Sequence, residues 1–125
     1  MQSLSKVQLG IRLANFKGVI YKTHTGKVVG IASATEHKKK PGYWFLGLPM
    51  REYAFIVLLC EKVDGELSSF VLPDNFLQDY IHQFSHSSGQ YKLHIFAKGN
   101  KHYIRMPKTG KIDISKYLEN IELLR

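Results

Sequence analysis

With 125 residues, 44% hydrophobic and 22% charged, the chain holds enough apolar material for one domain with its own core and too much for a disordered segment. We read 1–125 as a single domain. Its net charge of +8 comes from 18 basic and 10 acidic residues, which favours a polyanionic partner. The lone cysteine, Cys60, rules out an internal disulfide and suits a reducing, cytoplasmic setting. The longest apolar run, Ala54 to Cys60, is too short to cross a bilayer, and the first ten residues carry no signal-peptide stretch, so no membrane partner is expected.

In chain order, Val7 to Leu13 alternates partly and is expected as a strand. Gly18 to Lys22 and Lys27 to Ser33 are β-branched runs joined by a short Gly-containing link, which predicts a hairpin. Tyr43 to Leu48 is an aromatic strand bounded by Pro41-Gly42 and Pro49. Ala54 to Glu61 is continuously apolar and should be a central strand covered on both sides. Asp64-Gly65 marks a turn, and Leu67 to Leu72 returns as the next strand.

Asp74, after Pro73, is a candidate N-cap for a helix whose Phe76, Leu77, Tyr80, Ile81 and Phe84 form one stripe. Tyr91 to Phe96 and His102 to Met106 flank a turn at Lys98-Gly99-Asn100-Lys101. Asp113 or Ser115 is expected to cap a closing helix with Ile114, Tyr117, Leu118, Ile121 and Leu124 on one side. These elements predict an α+β fold: a strongly bent, mostly antiparallel sheet or half-open barrel of about seven strands with two helices.

The charge is unevenly placed. Residues 1–35 carry Lys6, Arg12, Lys17, Lys22 and Lys27 and no acid. Lys38-Lys39-Lys40 follows, and residues 88–111 hold Lys92, Lys98, Lys101, Arg105, Lys108 and Lys111, again without an acid. If these stretches converge, they make a cationic surface that displaces counterions from phosphates. The alternative is an ordinary solvated surface.

Two constellations are candidates for contact with nucleic acid, with DNA the expected partner. In the first, Lys38, Lys39 and Lys40 precede Tyr43, so cations for phosphates adjoin a ring for a base. Alternation through Tyr43-Trp44-Phe45 means that an inward Trp44 turns Tyr43 and Phe45 outward. In the second, Tyr103 and Arg105 share one side of a strand fed by Lys98 and Lys101, with Lys108 beyond, a pattern suited to a β-ribbon that reads a groove. His82 and His86 are one helical turn apart but offer only half a zinc site, and no metal or cofactor is expected. Cys60 ends an apolar run and is expected to be buried and inert. Gly-rich phosphate loops, GxGxxG and GxSxG are absent.

Glu36-His37-Lys38 follows the strand Val28 to Ser33, and over residues 17–75 this order resembles the restriction-endonuclease-like fold. That resemblance implies a nuclease alternative using Glu36, Lys38 and Mg²⁺. The chain departs from the pattern: no Asp or Glu precedes Glu36, so the second hard ligand is missing and the resemblance implies a divergent or inactive relative. In general form only, the strand-rich chain is also similar to the DNA-recognition domains of restriction systems. The leading expectation is a non-catalytic nucleic-acid-binding module of a restriction, defence or repair system. A third reading is a protein-interaction subunit with a basic surface.

Overall fold

The computed structural model describes residues 20–22 and 26–118. The expected strand Val7 to Leu13 lies outside them. The elements are β1 (Ile20–Lys22), β2 (Val28–Thr35), β3 (Tyr43–Pro49), β4 (Phe55–Glu61), β5 (Leu67–Leu72), α1 (Asp74–Tyr80), a two-residue β6 (His86–Ser87), β7 (Gln90–Lys98), β8 (Lys101–Met106) and β9 (Gly110–Asp113). Single 3₁₀ turns occupy Ile81–Gln83 and Ser115–Tyr117.

The strands divide into two open sheets. The first has the order β1-β2-β4-β5, and the second has β3-β7-β8-β9 with β6 also pairing with β7. All pairs are antiparallel except β2 with β4. Parallel neighbours need a crossover rather than a tight turn. Here residues 36–54 supply it, and β3 within that crossover joins the other sheet.

The core lies between the sheets. Ile56, Leu58 and Cys60 of β4 and Phe70 and Leu72 of β5 pack with Trp44, Leu46 and Leu48 of β3, Leu93 and Ile95 of β7, and Ile104 and Met106 of β8. Trp44 anchors the two layers: its ring is buried and its indole Nε1–H donates to the Glu61 carbonyl at 2.9 Å. Burying a large aromatic stabilises most when its polar edge finds such a partner. The alternate residues Phe55, Val57 and Leu59 of β4 join Val29, Ile31 and Val71 in a second buried cluster on the other side of the first sheet. β4 is therefore the central strand covered on both sides that its unbroken apolar run predicts.

The mostly antiparallel α+β character is as expected, but three details differ. Two open sheets replace the single bent sheet or half-open barrel, because β3 leaves the first sheet, which periodicity does not reveal. Eight strands of three residues or more are present instead of about seven. Among the described residues there is one α-helix, not two. Asp113 does accept the Ser115 N–H at 2.8 Å, as a cap would, but the turn ends at Tyr117. Leu118 is extended and bridges Phe70, so pairing with β5 takes over where the helix was expected to continue. Residues 119–125 lie outside the described set. No described helix is long and apolar enough to cross a membrane.

Candidate functional site

Alternate residues of a strand share one side. With Trp44, Leu46, Leu93, Ile95, Ile104 and Met106 committed to the core, their neighbours form the outer face of the second sheet. Register places Tyr43 opposite Phe96, Phe96 opposite Tyr103, and Tyr103 opposite Asp113, one row across four strands. The next row carries Phe45 opposite His94 and Arg105 opposite Lys111. Beyond it, Lys92 stands opposite Gly47.

The rings on this face touch one another. Phe96 and Tyr103 stack at 5.4 Å, Phe45 meets His94 edge-on at 5.0 Å, and the Tyr43 hydroxyl is hydrogen-bonded to Nδ1 of His94. Cations lie among them. The Lys40 ammonium sits 5.4 Å from the Tyr43 ring and the Lys111 ammonium 4.5 Å from the Tyr103 ring, distances at which the ring quadrupole attracts a cation. Burial holds the His94 imidazole below its usual pKa, and the nearby charges of Arg105 and Lys40 add to the effect. One residue therefore feels a charge from the 38–40 loop and one from the 88–111 stretch, whereas Lys27 of the first stretch lies over Phe55 away from this face. Asp113, paired with Lys101 at 3.7 Å, is the one acid among the described strand residues of this face.

The loop carrying the three lysines is tied down from inside. Both oxygens of Glu36 accept backbone N–H groups, from Gly42 at 2.5 Å and from Val63 at 3.1 Å. These two bonds, Gly42 first, keep its carboxyl below the usual carboxylate range. His37 N–H donates to the Tyr43 carbonyl and Lys40 N–H to the His37 carbonyl. Gly42 has φ +77°, and its carbonyl accepts the Ala97 N–H at 2.7 Å, which seats the loop on the end of β7. The loop tip and the β7–β8 turn thus adjoin.

Of the residues singled out in the sequence, Lys38, Lys39 and Lys40 are exposed on that loop, Lys98 and Lys101 are exposed at the adjoining turn, and Tyr43, Tyr103 and Arg105 lie on the outer face between them. Lys108 is not with them: it occupies the β8–β9 turn at the far end of β8, lining a groove with His82 and His86. The β7–β8 hairpin is flanked by β3 and β9, so it is the middle of a sheet rather than a free ribbon. His82 falls in a 3₁₀ turn and His86 in β6, so the helical spacing expected of them is not formed. Among the described residues no three His, Cys, Asp or Glu side chains cluster as metal ligands would. Cys60 is buried, and burial pushes its thiol pKa up to about 12.

Phe45, His94, Phe96, Lys92 and Lys111 are not among the expected contacts, although Phe45 reads as outward-facing and Lys92 and Lys111 as part of the basic stretch. Once Trp44 points inward, alternation puts Phe45 outward, and the same parity applied to β7 exposes Lys92, His94 and Phe96. Searches against protein-family models, curated protein sequences and solved structures gave no match.

Proposed function

We propose that this protein is a binding module that docks nucleic acid on the outer face of its second sheet. The observation that carries this reading is the meeting of the 38–40 loop and the 92–111 strands on one face, with aromatic rings between the cations. Lysine and arginine give attraction to phosphates that is independent of sequence, and rings give surfaces on which any base can rest. Neither ingredient alone would separate a binding face from an ordinary basic surface. Glu36 supports the non-catalytic side of the reading, because its carboxylate is engaged in holding the loop.

The test is binding of labelled DNA and RNA oligonucleotides across a salt series. For a single strand the log–log slope is about −0.7 per phosphate neutralised, so replacing Lys38, Lys39 and Lys40 together by Ala should flatten it by about 2. Arg105→Ala should flatten it by roughly 0.7. Lys27→Ala is the charge-matched control, since Lys27 lies over Phe55, whose ring belongs to the cluster on the other side of the first sheet. Its slope should match that of the unmodified protein. Equal effects from Lys27→Ala and Arg105→Ala would mean that net charge, and not this face, drives association.

A further inference from the structure

We infer that the strand held on this face is unpaired: bases of a single-stranded nucleic acid stack on Phe45 and lie along the bare floor at Gly47. This inference rests on the nucleic-acid reading and narrows it.

The rings of the face are not equivalent. Tyr43 has the Lys40 ammonium over it, and Tyr103 lies between Phe96 and the Lys111 ammonium. Phe45 is different: it meets its His94 neighbour edge to face and is 47% exposed, whereas the other Phe, Tyr and Trp rings among the described side chains are buried or half-buried. A phenylalanine offers no hydrogen bond, so an exposed one on a strand contributes only its flat apolar surface.

The next outward position of β3 is Gly47, which is exposed. A Cβ placed there would meet only the Gln90 side-chain oxygen, at 3.5 Å. The floor beside Phe45 is therefore backbone without a side chain of its own, bordered by the Gln90 carboxamide, whose oxygen accepts the Lys92 ammonium at 3.3 Å, with the ring standing about 7 Å along the strand from it. Together they form a step: a ring edge above a flat recess. Around the step stand Lys92 opposite Gly47, Arg105, and Lys40 at the loop.

A duplex cannot use such a step. Its base faces are already stacked on one another, and it presents only phosphates and base edges. An unpaired strand can lay a base face on Phe45 while its phosphates run past the cations. The combination of a half-exposed ring, a neighbouring position without a side chain and a cationic rim therefore selects for unpaired bases over paired ones.

The experiment measures anisotropy with a labelled, mixed-sequence 16-nucleotide strand, as DNA and as RNA, each alone and annealed to its complement. The expected result is that the better-bound single strand binds at least tenfold tighter than its duplex. Phe45→Ala should weaken single-strand binding by about five- to 150-fold, the range for loss of one stacking partner, and leave duplex binding within twofold. Gly47→Ile, which fills the recess with a strand-favouring side chain and changes no charge, should weaken the single strand and spare the duplex. Both positions are exposed, so circular dichroism and melting should show folded variants. Duplex binding as tight as single-strand binding, or single-strand affinity unmoved by both substitutions, overturns the unpaired-strand inference while the nucleic-acid reading stands. No salt-sensitive binding of any of the four probes overturns both.

Discussion

His102 illustrates how one residue can be confined without being satisfied. Its ring lies 4.9 Å from Phe70 and 5.9 Å from Trp44, and its Nε2 is buried with no hydrogen-bond partner. Its backbone N–H donates to the Ser115 hydroxyl at 2.8 Å. Burial lowers its pKa, Lys62 lowers it further, and Asp113 partly opposes them. A histidine with a depressed folded-state pKa binds fewer protons folded than unfolded, so its contribution is fully present above about pH 6.5 and is lost as pH falls through the folded value. His94 is shifted in the same direction and adds to the effect. Urea denaturation should therefore give a lower midpoint at pH 5 than at pH 7, and His102→Phe should shrink that difference. An unchanged difference in the variant would mean that the acid sensitivity arises elsewhere.

At the scale of elements, the segment between β3 and β4 is held against the first sheet by a close approach. The Tyr53 ring lies on Gly30 of β2, where an added Cβ would meet ring carbons at 2.6 and 2.8 Å. Tyr53 is buried, and its hydroxyl donates to the Pro49 carbonyl at 2.6 Å. Gly30 is paired on both sides, with Ile20 and Ile56, so the backbone has little room to retreat. Gly30→Ala should cost about 1–3 kcal/mol through overpacking, read as a lower denaturation midpoint, and Tyr53→Ala in the same chain should recover part of the steric component. Additive losses would contradict this packing account.

The strands themselves were largely legible. β-branched and aromatic runs between Gly and Pro signals placed β2 to β5, β7 and β8, and alternation gave the inward and outward sides of β3 and β8. What alternation cannot supply is partnership. Nothing in Val28 to Thr35 says that its neighbour will be the parallel β4 and not β3, the next strand in the chain. The closing helix failed for a related reason. Ile114 and Tyr117 are both buried, a spacing that a 3₁₀ turn satisfies as well as an α-helix, and the bridge from Leu118 to Phe70 is a tertiary contact.

For the whole molecule, the consequence of two sheets is a division of labour. The centre of the first sheet is buried on both sides, with Val29, Val57 and Val71 fully covered on the side away from the second sheet. The second spends only one side on the core, leaving the other for rings and cations. The candidate site was half legible because its residue types were visible in the sequence, while their convergence depended on β3 pairing with β7. That pairing sets the Lys38–Lys40 loop beside the Lys98–Lys101 turn, and it separates Lys108 from both.

The claim that this one face docks nucleic acid is tested most directly by ultraviolet crosslinking to a single-stranded oligonucleotide, followed by mapping of the modified residues by mass spectrometry. Adducts should fall on Tyr43, Phe45, Phe96 or Tyr103 and disappear at high salt. Adducts confined to aromatic residues of the first sheet or of α1, such as Phe55 or Tyr80, would place the contact on another surface and contradict the account.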